Sequence, residues 1–165
     1  MRKLLTFVAL AVGLTFVTPV AAQNSTPKIT IYKHPQCGCC QAYANHLTNN
    51  GFEVTVKPTH DLGAMSRKAG IPDDFQGCHL GYVDGYVVSG HVPVNTVKRL
   101  LSERPRIKGV TLPGMPMGSP GMNGQKTMPF TIYEVGSGTP KVYAVERWQS
   151  LQKRAQPPSA PLPCC

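Results

Sequence analysis

Beyond an apolar N-terminal segment, alternating apolar and polar residues predict two strands with a helix between them. Residues 28–33 (KITIYK) and 52–56 (FEVTV) alternate with a period of two, which is typical of half-buried strands. A helix is predicted over about 39–49, and the Asn50-Gly51 pair after it favours the left-handed conformation in which helices end. Because a short strand-helix-strand unit returns the chain to the same sheet, the two strands should pair in parallel.

The next segment predicts a short helix, a hairpin and a third helix. A helix over about 61–69 can be capped by Asp61, and the Asp84-Gly85 pair is a favoured two-residue turn between two β-rich runs. A further helix over 93–103 has apolar residues at helical spacing. The predicted order, β-α-β-α-β-β-α, indicates an α/β (α+β) protein with a thioredoxin-like fold.

The remainder of the chain predicts additions to this fold. Residues 111–129 form a loop rich in Gly, Pro and Met, and a late hairpin is predicted from strands at 130–135 and 141–145. We therefore predict one thioredoxin-like metal-binding domain over residues 23–155, with this extra loop and a C-terminal hairpin. A flexible Pro-rich tail, residues 156–165, should follow it and ends in two cysteines.

The N-terminus has the pattern of a secretory signal. Arg2 and Lys3 precede a mostly apolar run, and Val20-Ala21-Ala22 supplies the small residues that a signal peptidase requires. The apolar run is shorter than the roughly 20 residues that a membrane span needs. We predict a signal peptide at residues 1–22 with cleavage after Ala22, location in a bacterial periplasm, and no membrane span after cleavage.

Charge and missing motifs narrow the function classes. Removal of Arg2 and Lys3 takes two positive charges away and lowers the formal net charge from +9 to +7. A cytosolic chain this basic would suggest nucleic acid as a partner, but an exported one meets little of it. The sequence also has no H-E-x-x-H zinc motif, no glycine-rich phosphate loop and no G-x-S-x-G nucleophile elbow.

The spacing of the six cysteines favours metal or redox chemistry over a structural disulfide framework. Cys37, Cys39 and Cys40 lie within four residues, Cys78 stands alone, and two cysteines end the chain. A structural framework spreads its cysteines to join distant segments, and adjacent cysteines such as Cys39 and Cys40 do not bridge without strain. The first three also open the first predicted helix, where the helix dipole favours thiolate over thiol.

Two interpretations of this cluster compete. Cys37 and Cys40 alone make a C-x-x-C pair, the motif of thiol-disulfide oxidoreductases with a thioredoxin-like fold. Cys39 has no place in that chemistry, whereas a third thiolate suits a polynuclear site in which sulfur bridges metal ions. Soft thiolates favour Cu(I), with zinc and iron–sulfur as weaker alternatives.

The predicted hairpin adds two candidate ligands. Its two-residue turn pairs residues whose numbers sum to 169, so the open end brings Cys78 opposite His91. His79 should point to the opposite face unless a bulge shifts the register. In a thioredoxin-like fold this end of the hairpin lies beside the start of the first helix, so Cys78 and His91 should join the other cysteines.

The Met-rich loop and the terminal cysteines are open to two interpretations each. Met115, Met117 and Met122 carry soft thioethers that could bind Cu(I), or they could pack over the core. Cys164 and Cys165 could pass or accept copper or exchange disulfides, or form a disulfide without function.

Four motifs together resemble a known family. The runs YKHPQCGCC, CH at 78–79, GYVVSGHVP at 85–93 and PGMPMGSPGM at 113–122 resemble the CopG-type periplasmic copper-resistance proteins. The resemblance covers residue 28 to about 146, and the terminal cysteine pair is not part of the pattern. It implies a thioredoxin-like fold and a cysteine-bridged multinuclear copper cluster that supports efflux and interconverts Cu(I) and Cu(II). The ligands that it implies are Cys37, Cys39, Cys40, Cys78 and His91.

The sequence thus predicts a periplasmic copper-binding protein for copper resistance and homeostasis. It should hold several Cu(I) ions per chain, with copper efflux or carrier proteins as its partners. A metal-binding protein is favoured over an enzyme, with copper oxidoreductase left open. The alternative is a thiol-disulfide oxidoreductase that uses Cys37 and Cys40, followed by a zinc or iron–sulfur module.

Overall fold

A mixed sheet of seven strands organises the chain, of which the computed structural model describes residues 25–136 and 138–147. The strands are β1 (Lys28–Lys33), β2 (Glu53–Pro58), β3 (His79–Val83), β4 (Tyr86–Ser89), β5 (Gly109–Thr111), β6 (Phe130–Val135) and β7 (Val142–Glu146). Their order across the sheet is β2-β1-β3-β4-β5-β6-β7. The predicted signal peptide and the tail with Cys164 and Cys165 lie outside the described residues.

Within the described residues, three helices accompany the sheet: α1 (Gly38–Asn49), α2 (Leu62–Lys68) and α3 (Val94–Glu103), with a short 3₁₀ turn at Asp73–Phe75. Strand β1 pairs in parallel with β2 and antiparallel with β3, which pairs antiparallel with β4. The predicted α/β class is therefore confirmed. The order and directions of these four strands are consistent with the thioredoxin-like prediction.

The β3–β4 hairpin has the register that the sequence predicts. Val83 pairs with Tyr86 and Tyr82 with Val87. The turn residues Asp84 and Gly85 both have positive φ, at 47° and 83°, as the favoured type of two-residue turn requires. This register controls which side chains meet at the open end of the hairpin.

Some predicted boundaries differ from the structure. Strand β2 begins at Glu53 because Phe52 is buried in the core and its N–H bonds to the carbonyl of Leu47 at the end of α1. Asp61 stands at the N-cap of α2, but its side chain makes no capping hydrogen bond.

Strand β5 has only three residues, too few to show a period of two, and the sequence did not predict it. It pairs in parallel with β4, and a Cβ at Gly109 would lie 1.9 Å from the carbonyl oxygen of Val87. Only glycine permits this approach. Through β5, the sheet continues from the hairpin into β6 and β7.

The main core lies between the sheet and helices α1 and α3. Helix α1 contributes Tyr43, Ala44 and Leu47, and α3 contributes Val97 and Leu100, all at most 2% exposed. This packing fixes the start of α1 near the ends of β3 and β4 that lie away from the hairpin turn. None of the helices in the described parts of the chain is long and apolar enough to cross a membrane.

Candidate metal centre

The N-terminus of α1 positions three cysteines. Cys37 is the N-cap residue, and its Sγ accepts a hydrogen bond from the backbone N–H of Cys40 at 3.3 Å. The side chains of Cys37 and Cys40 are joined in a disulfide, with their Cα atoms 5.4 Å apart. One helical turn separates these residues, which is why the two sulfur atoms can meet. This is the oxidised form of the C-x-x-C pair.

Cys39 is a free thiol at the outer side of this turn. Its Sγ lies 3.4 Å from Cys37 Sγ, and its side chain is partly exposed, whereas Cys40 is buried. The cluster therefore has an open side at Cys39 and a closed side at Cys40.

Cys78 extends the cluster toward the hairpin. It is a free thiol immediately before β3, and its Sγ lies 3.6 Å from Cys40 Sγ. On its other side, Sγ lies 2.9 Å from Nε2 of His91. The predicted approach of Cys78 to His91 is thus present in the structure, two residues beyond Leu80 and Ser89, the last paired positions of the hairpin.

His91 is held in one tautomer by the Met-rich loop. Its Nδ1 lies 2.6 Å from the carbonyl oxygen of Pro120. A carbonyl can only accept, so Nδ1–H donates and Nε2 presents its lone pair to Cys78. A backbone carbonyl on the far nitrogen is the usual support of a metal-binding histidine. Burial lowers the pKa of His91, which favours this neutral form.

His79 contradicts the sequence prediction that its side chain faces away from the cluster. Its Nδ1 lies 3.6 Å from Cys78 Sγ, and its ring centroid is 4.9 Å from that of His91. The chain bends at Cys78 before β3 begins, so the alternation of faces that the prediction assumed does not apply to this pair. The sequence signal that could have found His79 is its place directly after Cys78.

The His79 ring is fully buried and its Nε2 has no hydrogen-bond partner among the described residues. Its ring lies 4.5 Å, between centroids, from that of Tyr43, whose hydroxyl donates to the carbonyl of Val92 at 2.9 Å. Burial, with a smaller contribution from His91, lowers the pKa of His79 to about 3. A neutral imidazole with an unused nitrogen is therefore enclosed beside the cysteines.

Cys78 carries its proton at neutral pH. Burial raises the pKa of its thiol to about 12, and the nearby Cys39 thiol adds to the shift. The S–H of Cys78 then donates to His91 Nε2. Metal binding at this sulfur would have to displace that proton.

The potential ligand atoms form two overlapping groups of four. One group contains Cys37, Cys39, Cys40 and Cys78, and the other contains Cys40, Cys78, His79 and His91. Within each group all ligand atoms lie within 4.8 Å of one another. The structure thus brings together all five residues that the sequence proposed as ligands and adds His79. Their role as ligands stays a prediction.

The Met-rich loop lies against this site. A Cβ at Gly121 would be 2.5 Å from the backbone nitrogen of Tyr43 and 2.9 Å from the carbonyl oxygen of Cys39, so the loop touches the backbone of α1. Met115 and Met117 are 55% and 61% exposed, so packing of the core does not account for them.

Comparisons with known proteins agree with a role in copper resistance. The family described as "Protein of unknown function, DUF411" matches residues 75–122, which include Cys78 and His91. Two solved structures, form 2 and form 1 of a copper resistance protein CopG, match with a TM-score of 0.68 each. They are 36% and 35% identical to this chain; the matches cover 73% and 75% of this chain and 98% and 100% of theirs. A comparison with curated proteins found no match. The chain therefore belongs to the family of the CopG copper resistance proteins.

Proposed function

We propose that this protein binds Cu(I) as its cargo in a cysteine-bridged multinuclear cluster and thereby serves copper resistance and homeostasis. The ligands are Cys37, Cys39, Cys40, Cys78 and His91, and several ions are held per chain. The observation that carries the proposal is the overlap of the two ligand groups, which share Cys40 and Cys78. A thiolate can bridge two ions, so a shared pair of sulfur atoms suits two or more ions held side by side.

The donor set favours Cu(I) over other metals. Thiolate sulfur and neutral imidazole are ligands that Cu(I) prefers. In the described part of the chain no carboxylate belongs to either group, which makes magnesium, calcium and manganese poor candidates. The four cysteines alone could hold a single tetrahedral zinc ion. A zinc site of that kind leaves His91 without a ligand role, although its Nε2 is aimed at Cys78 Sγ at 2.9 Å. The copper proposal uses both groups.

Loading of the full cluster requires reduction of the Cys37–Cys40 disulfide. An external dithiol would supply the two electrons and two protons that convert this bond to two thiols, and would itself be oxidised to a disulfide; each new thiol gives up its proton when it binds copper. Oxidation of a bound ion to Cu(II) passes one electron to an external acceptor. Cu(II) prefers tetragonal nitrogen and oxygen ligands, so this oxidation weakens binding by the cysteines. Interconversion of Cu(I) and Cu(II) would in this way couple to release of the ion.

We propose the periplasm as the compartment, on the basis of residues 1–22. With its basic start, apolar run and small residues before the predicted cleavage site, this segment supports export to the periplasm. There we propose that copper efflux or carrier proteins exchange copper with this chain.

The test is an anaerobic titration of the reduced protein with Cu(I) against a competing chelator, with metal content measured directly. We expect more than one tightly bound ion per chain. Cys78→Ser should disrupt both ligand groups, whereas Cys39→Ser should remove only the four-cysteine group and lower the capacity in part. His60→Gln changes an exposed histidine outside both groups and should leave the capacity unchanged. An unchanged stoichiometry in Cys39→Ser, or a preference for one zinc ion, would refute the cluster.

A second candidate function is thiol-disulfide exchange. It is favoured by the disulfide between Cys37 and Cys40 at the start of α1, the position at which a thiolate is stabilised. Cys37, partly exposed, would be the attacking thiol and Cys40 the resolving one. Metal-free reduced protein should then reduce insulin, and Cys39→Ser should retain that activity. Absence of exchange in metal-free protein would exclude this candidate.

A further inference from the structure

A groove lies on the open side of the cluster, next to Cys39. It has a volume of about 560 Å³ and is lined by Cys39, the start of α1 and the Met-rich loop. Met117 and Met122 line it together with Cys39, so three sulfur-bearing residues share one groove. Of the residues that the structure describes, no charged one lines it. We call this feature the thioether groove.

The loop that carries the two methionines is held in shape by its own hydrogen bonds. The backbone N–H of Gly118 donates to the carbonyl of Asn123 at 3.2 Å, and that of Met122 donates to Ser119 at 2.9 Å. The buried hydroxyl of Ser119 donates to the carbonyl of Pro116 at 2.7 Å. These bonds join residues next to the two methionines, from 116 to 123, so the backbone at Met117 and the backbone at Met122 are fixed relative to each other.

The loop is also fixed relative to the cluster. Gly121 touches the backbone of α1, and the carbonyl of Pro120 accepts the hydrogen bond of His91. The side chain of Met117 lies across Gly124, where a Cβ would be 2.7 Å from its terminal methyl carbon. The end of this side chain thus lies beside Gly124, another residue that lines the groove, although Met117 is 61% exposed.

We infer that the thioether groove is a loading site, in which the thioethers of Met117 and Met122 bind Cu(I) weakly and pass it to Cys39. Thioethers bind Cu(I) without first having to lose a proton, as a thiol must, and they hold the ion less tightly than thiolates do. An uncharged groove suits a monovalent soft cation more than a divalent hard one. The transfer changes no oxidation state: one thioether–copper bond breaks as one copper–thiolate bond forms at Cys39, whose thiol proton passes to water. This inference rests on the proposed copper function of the cluster.

The first test measures how fast the reduced protein removes Cu(I) from a weak chromophoric chelator in a stopped-flow instrument. Leucine has nearly the volume of methionine and no sulfur. The double variant Met117→Leu/Met122→Leu should load about tenfold more slowly than the wild type and reach the same final copper content. The matched control is Met115→Leu/Met128→Leu, which changes two exposed methionines that do not line the groove and should load at the wild-type rate.

Equal rates in the two double variants would overturn the loading site. A lower final copper content in Met117→Leu/Met122→Leu would also overturn it, because the methionines would then be permanent ligands of the cluster. If the wild type takes up no Cu(I), the proposed function itself fails, and this result is distinct from either of the others. Thermal unfolding of each reduced variant verifies that it is folded.

A second measurement does not depend on a variant. In reduced protein with ¹³C-labelled methionine methyl groups, the cysteines fill first as Cu(I) is added. Cu(I) beyond the capacity of the cluster should then shift the methyl signals of Met117 and Met122 before those of Met115 and Met128. Shifts of all four signals together, or of none, would contradict a site in the groove.

Discussion

Gly121 is the residue at which a single added carbon atom tests the link between the Met-rich loop and the candidate site. In Gly121→Ala the new residue would be held at a φ of +82°, which costs an L residue about 1–2 kcal/mol. Its Cβ would be 2.5 Å from the backbone nitrogen of Tyr43, whereas such atoms need about 3.5 Å. The contacted atom belongs to the backbone of α1, which cannot change rotamer as a side chain can, so the loop must move outward by roughly 1 Å.

This displacement acts on His91 through Pro120, the residue before Gly121. The hydrogen bond from His91 Nδ1 to the carbonyl of Pro120 is 2.6 Å long and would stretch past hydrogen-bonding distance. Its loss adds about 0.5–1.5 kcal/mol to the backbone strain, so we expect a total destabilisation of about 1.5–3.5 kcal/mol. For a chain of this size, that lowers the melting temperature by about 3–14 °C. Loss of such a support lowers metal affinity by about 10–100-fold.

Gly85→Ala is the matched control. Gly85 has nearly the same φ, +83°, but a Cβ there would meet no atom within 4 Å. Gly85→Ala therefore has the same backbone strain as Gly121→Ala but not the close contact. Its melting temperature should fall by about half as much as that of Gly121→Ala. Circular dichroism gives the melting temperatures, and competition with a Cu(I) chelator gives the affinities. Equal Cu(I) affinity in Gly121→Ala and Gly85→Ala would refute the reasoning that the Pro120 carbonyl prepares His91 for copper.

Three further predictions concern the core, the disulfide and pH. Leu47→Ala, which empties a fully buried position of α1, should lower the free energy of unfolding by about 2–5 kcal/mol in urea titrations; a loss below 1 kcal/mol would contradict the core described above. Reduction of the Cys37–Cys40 disulfide should free two more thiols, counted with a thiol reagent after unfolding because Cys40 is buried, and copper capacity should rise with it; the same capacity in the oxidised protein would argue against these two ligands. The raised pKa of Cys78 means that the folded state favours the neutral thiol. The contribution of this thiol to stability is therefore complete below about pH 9, its pKa in the unfolded chain, and is lost as pH rises toward 12, its pKa in the folded state. The melting temperature of the metal-free wild type should therefore fall more between pH 8 and pH 10 than that of metal-free Cys78→Ser. Equal falls in the two proteins would show that the Cys78 thiol does not have a raised pKa.

The parts of the site that the sequence could predict are those fixed by short-range geometry. A two-residue turn sets the register of a hairpin, so Asp84-Gly85 was enough to bring Cys78 and His91 together across 13 residues. In the same way, the helix that begins at Gly38 explains why Cys37 and Cys40 converge. Both predictions rest on residues that are local to one turn or one hairpin.

Features that depend on distant contacts or on irregular backbone were not predicted. The Pro120 carbonyl meets His91 across 29 residues and belongs to a loop without periodicity, so no local pattern reports it. His79 was assigned to the wrong face because the bend at Cys78 interrupts the alternation of a regular strand. Strand β5 is too short to have a detectable period, and it is recognised only by its pairing with β4.

In the proposed cluster, copper binding and disulfide formation would compete for the same two sulfur atoms. In the structure Cys37 and Cys40 are bonded to each other, and Cys40 is one of the two residues that both ligand groups share. The redox state of this one bond therefore decides whether the two groups can act as a single cluster. Cys39 and His91 take no part in the disulfide, and dithiol exchange has no use for a third thiol 3.4 Å from Cys37 Sγ. Their presence makes copper binding the stronger of the two candidate functions, with the disulfide as the state in which the full cluster cannot assemble.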